Sequence, residues 1–222
     1  MRKILNLFIL FLPWGIRRRL LNKFWGYEIH PKARIGFSYI YPKKLIMEER
    51  AAIGHFNVAV HLDKVVIKKN STIDRSNWIT GFPTDTDSKH FSHDKQRKSE
   101  LIIGVESAIT KKHHIDCTNS VIIGNYVTIA GYDSQLLTHS IDIYKGRQDS
   151  HSVIIGDYCF VSTGVRILGG SILPAYSVLG AGAVLNKAYN EKYKLYAGVP
   201  AKPVKDLPDK AEYFNRADGY IY

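Results

Sequence analysis

The sequence predicts an all-β protein built as a parallel β-helix, and three observations predict it. Between Val153 and Lys187 an aliphatic residue recurs at every sixth position, at Ile155, Val161, Ile167, Leu173, Leu179 and Leu185. Four residues after each of the first five stands a small side chain, at Cys159, Val165, Ser171, Ser177 and Ala183. Glycine follows the aliphatic residue at Gly156 and Gly180. A period of six is neither the 3.6 of a helix nor the two of a plain strand, and a repeat that short implies a parallel β-helix. One hexad makes one short flat face and its corner. Three hexads close a triangular coil, with the aliphatic residue pointing inward, the small residue near the corner and glycine relieving the backbone beside it.

The whole-chain composition agrees. The chain has 222 residues, of which 45% are hydrophobic and 12% aromatic, an ordinary globular balance. Two cysteines, Cys117 and Cys159, are too few for a disulfide framework, and each falls where the repeat wants a small apolar residue, so both are read as reduced core residues. The net charge of +11 is uneven: residues 1–50 hold eleven Lys or Arg against three Glu. No helix-turn-helix, zinc-finger or RNA-binding signature accompanies that charge, which argues against a nucleic-acid partner and favours an anionic membrane surface.

Residues 1–28 are read as an N-terminal helical segment. Residues 1–14 carry an apolar run of about a dozen residues, short of the ~20 that span a bilayer. A basic start and an apolar centre suggest a signal peptide, but Pro13-Trp14 and Arg17-Arg18-Arg19 stand where a small-residue cleavage site belongs. Leu12, Ile16, Leu20 and Phe24 fall at helical spacing with Arg17, Arg18 and Lys23 between them. That pattern suits amphipathic helices on a cytoplasmic leaflet, and equally a helix that caps the open end of the solenoid.

The coils are expected over residues 29–189. The hexad grammar begins at Ile29, is clear at Ile53, Ala59 and Val65, changes phase at Ile67, Ile73 and Ile79, and resumes at Ile103, Ile109 and Ile115. Residues 82–100 break it with polar, charged and histidine residues, and residues 143–152 break it again. Both are read as excursion loops, the first as an acceptor-binding one, since a loop of that length in a compact domain is usually functional or disordered. A non-repetitive C-terminal extension, 190–222, carries Tyr213-Phe214 and Tyr220-Ile221-Tyr222, apolar enough to pack back on the coils.

The repeats are followed by Leu179-Gly-Ala-Gly-Ala-Val-Leu-Asn-Lys187 and then by Ala197-Gly-Val-Pro-Ala-Lys-Pro-Val-Lys205. With these motifs the chain resembles the hexapeptide-repeat acyltransferases, in particular the maltose and galactoside O-acetyltransferase and polysaccharide-cluster branch. The resemblance implies a left-handed coil, a hand the period alone does not set. It also implies a cytoplasmic homotrimer, acetyl-CoA as co-substrate with no metal, and a saccharide acceptor, free, nucleotide-linked or lipid-linked, in cell-surface polysaccharide synthesis. The Leu-Pro-x-x-x-Arg-Arg-Arg-Leu-Leu opening is similar to relatives that work near membranes.

By that resemblance His139, in Leu-Leu-Thr-His-Ser-Ile-Asp, takes the position of the general base that removes a proton from the attacking hydroxyl or amine. A base of this kind needs a partner for its other nitrogen, and Asp116 and Asp142 are the candidates. Asp116 stands where relatives carry an Asn. A carboxylate can only accept hydrogen bonds, so it is expected to orient a base or a sugar hydroxyl. His114, on the same strand face, is a candidate for acceptor binding or a solvent-facing polar residue, and His113 is expected to fill a corner. Thr163, Ala181, Asn186 and Lys187 match positions that contact the pantetheine and phosphates of coenzyme A, and Lys202 and Lys205 match basic positions near its nucleotide. Two readings compete. A zinc enzyme of the γ-carbonic-anhydrase kind would draw on His90, His93, His113, His114, His139 and His151, although that family's ligand spacing is not reproduced. A non-enzymatic membrane-docking scaffold would leave the histidines incidental.

Overall fold

A computed structural model describes residues 2–221 and shows a three-sided prism. Two faces are parallel sheets of seven strands, here faces A and C, and face B carries nine. Each coil contributes one strand to each face, so the seven coils run from Glu28 to Leu185. In the regular stretch, residues eighteen apart are direct neighbours: Ile155 opposes Leu173, Val161 opposes Leu179 and Ile167 opposes Leu185. Three hexads therefore make one full turn. The six predicted aliphatic residues and all five small ones are buried, with the remaining hexad positions at Ile53, Ile73, Ile79, Ile103, Ile109 and Ile115 in the same core. Gly156 is needed because a Cβ there would overlap the backbone of Ala175 in the next coil.

The corners carry polar and aromatic columns that the hexad rule does not describe. Along the B/C corner, Ser38, Asn57, Asn77, His113 and Ser134 are buried one above another. The Asn57 amide N–H donates to Ser38 Oγ at 2.9 Å, the Asn77 N–H to Asn57 Oδ1 at 2.9 Å, the His113 N–H to Asn77 Oδ1 at 2.9 Å, and the Ser134 N–H to His113 Nδ1 at 3.2 Å. His113 does fill a corner. Burial pushes its imidazole down to about 4, so it stays neutral and accepts through Nδ1. At the A/B corner the residue with left-handed backbone is a tyrosine in three consecutive coils, Tyr126, Tyr158 and Tyr176, and Tyr193 of the extension continues the column. That conformation costs a non-glycine residue about 1–2 kcal/mol. The rings are stacked 4.6, 5.2 and 5.0 Å apart, and each stacked pair offsets about 0.5–1.5 kcal/mol of it.

Both ends of the prism are closed. Coil-to-coil amides donate in both directions, as in Arg34 N–H to Ala51 O and Phe56 N–H to Phe37 O, and the carbonyls of the first coil that face away from the second have no coil above them. Helix α1 spans Arg2–Leu10 and α2 spans Trp14–Trp25. The side chains of α2 supply the missing donors. Trp14 Nε1 reaches Ala33 O at 3.0 Å, Arg17 reaches Gly36 O and Ser38 O at 2.8 Å each, and Arg18 and Asn22 reach Ile29 O at 3.2 Å. Arg17 and Leu21 are the buried residues of α2, while Leu12, Ile16 and Phe24 are exposed. Of the apolar stripe, Leu12, Ile16 and Phe24 thus face outward while Leu20 is partly buried against the core, because the demand of the open carbonyls turns the Arg17 edge inward.

Two boundaries differ from the expectation. The second excursion begins at His139 and is an antiparallel hairpin of His139–Asp142 with Arg147–Ser150, because the face C strand ends at Leu137 and Thr138 turns the chain outward. The hexads stop near Leu185, yet Lys194–Ala197 adds a further parallel strand to face B, and Lys202–Asp206 returns antiparallel along it. That reversal ends the parallel ladder, with Tyr196 and Ala201 buried beneath the last coil. The extension then flanks the coils: in α3, Glu212–Asn215, Tyr213 donates to Cys159 O at 3.0 Å and Phe214 is buried against Tyr176 and Tyr193. Tyr220 and Ile221 are largely exposed, and Tyr222 lies outside the described residues, as does Met1 of the N-terminal segment.

Arg17→Ala leaves two main-chain acceptors without a donor at a buried end. It is expected to lower unfolding stability by about 2–4 kcal/mol, measured by denaturant titration of the full chain. A loss below the error of that titration would show that water replaces the guanidinium and that α2 is not the cap.

Candidate active site

The two excursions leave the prism at the same C/A corner. Face C strands end at Thr80, Asp116 and Leu137, which are direct cross-strand neighbours. The first excursion departs after Thr80 and the hairpin departs after Thr138, so their side chains meet beside Asp116. Thr80, Gly81, Phe82, His90, Phe91, Asp116, Thr118, His139 and Gln148 line the cleft between them, about 260 Å³ in volume.

Asp116 is 5% exposed and surrounded by donors. Its Oδ1 accepts from the Thr118 N–H at 3.1 Å and the Thr118 hydroxyl at 2.7 Å. Its Oδ2 accepts from the amides of Thr138 and His139 at 2.9 and 3.2 Å and from His139 Nδ1 at 2.8 Å, with the Thr138 hydroxyl also 2.8 Å away. Burial opposes ionisation, but the bonds from His139 and Thr118, the charge of His139 and the Thr138 bond outweigh it and hold the carboxyl at about 2. An ionised carboxylate can only accept, so Nδ1 of His139 carries the proton and Nε2 keeps its lone pair. The Asp116 hydrogen bond raises the imidazole above its ordinary value, against a smaller opposing effect of burial. Side-chain exposure of His139 is 45% against 7% for Asp116, which gives a base open to the cleft and an orienting group shielded from water.

Arg97 locks the first excursion over this pair. It is buried, donates to the carbonyls of Phe82, Thr118 and Pro83, and lies over the rings of Phe91 and Phe82 at 4.9 and 5.6 Å. Phe91 in turn stands edge-on to the His139 ring, 6.2 Å between centroids and at 90°. Thr118, Thr138, Phe91 and Arg97 were not singled out by the sequence. The two threonines had a signal, since each lies beside a predicted residue, in Asp-Cys-Thr and Thr-His, whereas nothing local marks Phe91 or Arg97.

The other predicted residues are placed elsewhere. Asp142 does not face His139: its Oδ1 accepts from the amides of Tyr144 and Lys145 and its Oδ2 pairs with Lys145 at 3.2 Å, so the carboxylate closes the hairpin turn. His114 is exposed in a separate hollow on face C with Trp78, Gln135 and Arg166. Thr163 and Ala181 sit on the B/C corner, with Thr163 Oγ1 3.0 Å from Tyr132 O. Asn186 and Lys187 sit on the C/A corner below the last coil, where the Lys187 ammonium lies 5.0 Å from the Tyr189 ring centroid. Lys202 and Lys205 are exposed on the final strand of face B. Within one chain, face C separates Thr163 and Ala181 from His139.

Both cysteines are buried and free, and burial pushes the Cys159 thiol up to about 12 and the Cys117 thiol well above its ordinary value, so neither is a thiolate. The histidines are dispersed: His113 is inside the prism, His114 on face C, and His90 and His93 on the first excursion. Among the described residues no three His, Cys, Asp or Glu side chains converge as a metal site.

No protein-family model matches the chain, and no curated protein matches it. Solved structures do. The chain is similar to the polysialic acid O-acetyltransferase OatWY, with a TM-score of 0.58 and 17% identity over 81% of this chain and 84% of that one. It is similar to the polySia-specific acetyltransferase NeuO, with a TM-score of 0.52 and 21% identity over 84% and 85%. A hexapeptide-repeat-containing acetyltransferase from Vibrio cholerae O1 biovar eltor, solved in complex with acetyl coenzyme A, gives 0.51 and 18% over 93% and 85%. The fold is therefore the left-handed parallel β-helix of hexapeptide-repeat acetyltransferases.

Replacing Asp116 by Asn removes the carboxylate charge behind the hydrogen bond that raises His139. In carbon-13-labelled protein the His139 ring is expected to titrate above its ordinary 6.5, and in Asp116→Asn to fall back to or below it. The sign of the linked stability follows. Asp116 stabilises above its ordinary 3.8, and that contribution is lost as pH falls toward about 2. The contribution of His139 is complete below 6.5 and is lost as pH rises through its folded value. An unchanged His139 midpoint in the variant would remove Asp116 from the pair.

Proposed function

We propose that the chain is an acetyltransferase that moves an acetyl group from acetyl-CoA to a saccharide hydroxyl, with His139 as general base and Asp116 as the residue that positions it. The observation that carries this reading is the 2.8 Å bond from His139 Nδ1 to the shielded Asp116 carboxylate at the floor of an open cleft. The solved relatives named above are acetyltransferases, one of them holding acetyl-CoA, which agrees with that chemistry.

In the reaction, the acceptor hydroxyl lies against His139 Nε2 and gives up its proton as its oxygen attacks the thioester carbonyl. The imidazolium that forms is stabilised by Asp116. Collapse of the tetrahedral intermediate breaks the carbon–sulfur bond, and the departing sulfur takes the proton from Nε2, so the products are acetyl ester and free thiol. A pair that resets its own proton needs no further acid. Coenzyme A would be held at the Thr163 and Ala181 corner and by Asn186, Lys187, Lys202 and Lys205, whose ammonium groups suit its phosphates. Because face C lies between that corner and His139 in one chain, the reading places the thioester in a cleft shared between neighbouring chains of a homotrimer. The acetyl donor implies a cytoplasmic setting.

His139→Ala is expected to lower kcat by roughly 10² to 10⁴ with little change in affinity for acetyl-CoA, while Lys187→Ala mainly raises KM for acetyl-CoA. Thiol release with a panel of sugars measures both, alongside the solution size of the protein. Near-normal turnover in His139→Ala would overturn the base, and a fully active monomer would overturn the shared cleft.

The N-terminal helices suit peripheral attachment to an anionic leaflet. None of the described helices is long and apolar enough to cross a membrane. Leu5, Leu7, Phe8, Phe11, Leu12 and Ile16 are exposed, and Phe11 continues through Phe37 to Phe56 with ring centroids 5.4 and 6.2 Å apart. Arg19 and Lys23 are exposed beside them, although Arg17 and Arg18 are taken up by the cap. Vesicles containing phosphatidylglycerol are expected to float the protein at low salt, and Phe8→Glu with Phe11→Glu to reduce the bound fraction by about tenfold. Equal flotation of the variant would assign this face to another contact.

A further inference from the structure

The cleft at His139 continues away from the imidazole. A second hollow of about 300 Å³ lies between the first excursion and the hairpin, and it shares His90, Phe91 and Gln148 with the first. Its ionisable lining is all basic, with Lys89, His90 and His93 from one side and Arg147 from the other beside the neutral Gln148, while Phe91 and Ile141 supply apolar wall. No carboxylate lines it. The acids of the same two loops are turned to other partners: Asp85 pairs with Lys43, Asp94 accepts from the Gln96 amide, Asp142 holds Lys145, and Asp149 lies 3.1 Å from His151 Nε2. Asp87 is exposed and lines neither hollow. Neither the Lys89 ammonium nor the Arg147 guanidinium has an ion-pair partner among the described residues.

We propose that this hollow is the acceptor subsite and that it selects a saccharide carrying an oxyanion, a carboxylate or a phosphate, held by Lys89 and Arg147 while a hydroxyl of the same sugar reaches His139 Nε2. The proposal rests on the acyl-transfer reading and names its substrate class. Two facing cations that close over a neutral sugar would lose water and gain no counter-charge, whereas an oxyanion between them makes charge-assisted hydrogen bonds, bidentate ones with arginine. A site built around a charged group discriminates strongly against the analogue that lacks it. The apolar wall of Phe91 and Ile141 fits the carbon-bound face of a sugar ring. The two cations come from different excursions, so the acceptor would bridge loops that the prism brings to one corner.

The test is direct binding to the full chain by calorimetry, with glucuronate, glucose 6-phosphate and glucose as probes. At least one anionic probe is expected to bind about tenfold or more tightly than glucose, and the preference between the two identifies carboxylate or phosphate. Lys89→Gln and Arg147→Gln are each expected to weaken that anion by about 5- to 30-fold, at unchanged melting temperature, and to leave glucose unaffected. Lys145→Gln, on the same hairpin but outside the hollow, serves as the control for general loss of charge. Glucose binding as tightly as both anions, no anion binding at all, or anion affinity that survives both substitutions would each overturn the proposal. Because the readout is affinity, its failure is distinct from failure of the acyl-transfer reading, which would appear as no thiol release with any acceptor.

Discussion

A solenoid leaves main-chain groups of its first and last coils unmet, because the amides and carbonyls that would bond a further coil face none there. Most of what is irregular in this chain answers that constraint. At the N-terminal end Trp14, Arg17, Arg18 and Asn22 act as a substitute coil, offering side-chain donors where main-chain N–H groups would otherwise stand. At the other end Tyr196 and Gly198 present carbonyls to the amides of Gly180 and Val184, and the antiparallel strand Lys202–Asp206 then changes the ladder's direction. A buried main-chain group without a partner costs about as much as a lost hydrogen bond, so the closure of the ends decides how the termini are used.

Between those ends the prism is a rigid register device, and the site exploits it. Thr80, Asp116 and Leu137 are stacked on face C, and the chain leaves that one corner twice, so two loops distant in sequence are set side by side. Rigid strands place Asp116, and the hairpin that starts at His139 brings the imidazole down onto it. Loops on a fixed scaffold can vary in what they recognise while the base stays oriented. The buried Arg97 ties the first loop to the coil through the Thr118 carbonyl, beside the hydroxyl that bonds Asp116.

Much of this was legible in the sequence. The core residues follow from the period of six because each hexad meets the same geometry, and Ile155 through Leu185 needed no knowledge of their neighbours. The prominence of His139 and the carboxylate at Asp116 were also readable, through family resemblance. Their pairing was legible only as one of two alternatives, with Asp142 the other, because the choice depends on the register between coils, and corners of unequal length make that register invisible to a local pattern. The same reason hid Arg97 and Phe91, whose partners lie across the loop. Asp142 stood beside Asp116 as a candidate partner of His139, but turn amides two and three residues on take its carboxylate. In α2, apolar periodicity grouped Ile16 and Phe24 on one face without deciding between a lipid-facing and a capping role, and it is the arginine edge that meets the four open carbonyls.

The stacked tyrosines of the A/B corner have a bearing on how the molecule comes apart. In a simple solenoid each repeat touches only its neighbours, so coils can peel from a free end one at a time. Here Arg216, ninety residues beyond Tyr126, donates to the Tyr126 carbonyl and lies over both the Tyr126 and Tyr158 rings, while Phe214 seals Tyr176 and Tyr193. The tail therefore works as a lashing across the last three coils and the strand that follows them. Fraying from the C-terminal end must first release a segment anchored near the middle of the prism, which turns a sequence of small openings into one larger event and raises the barrier to the first step.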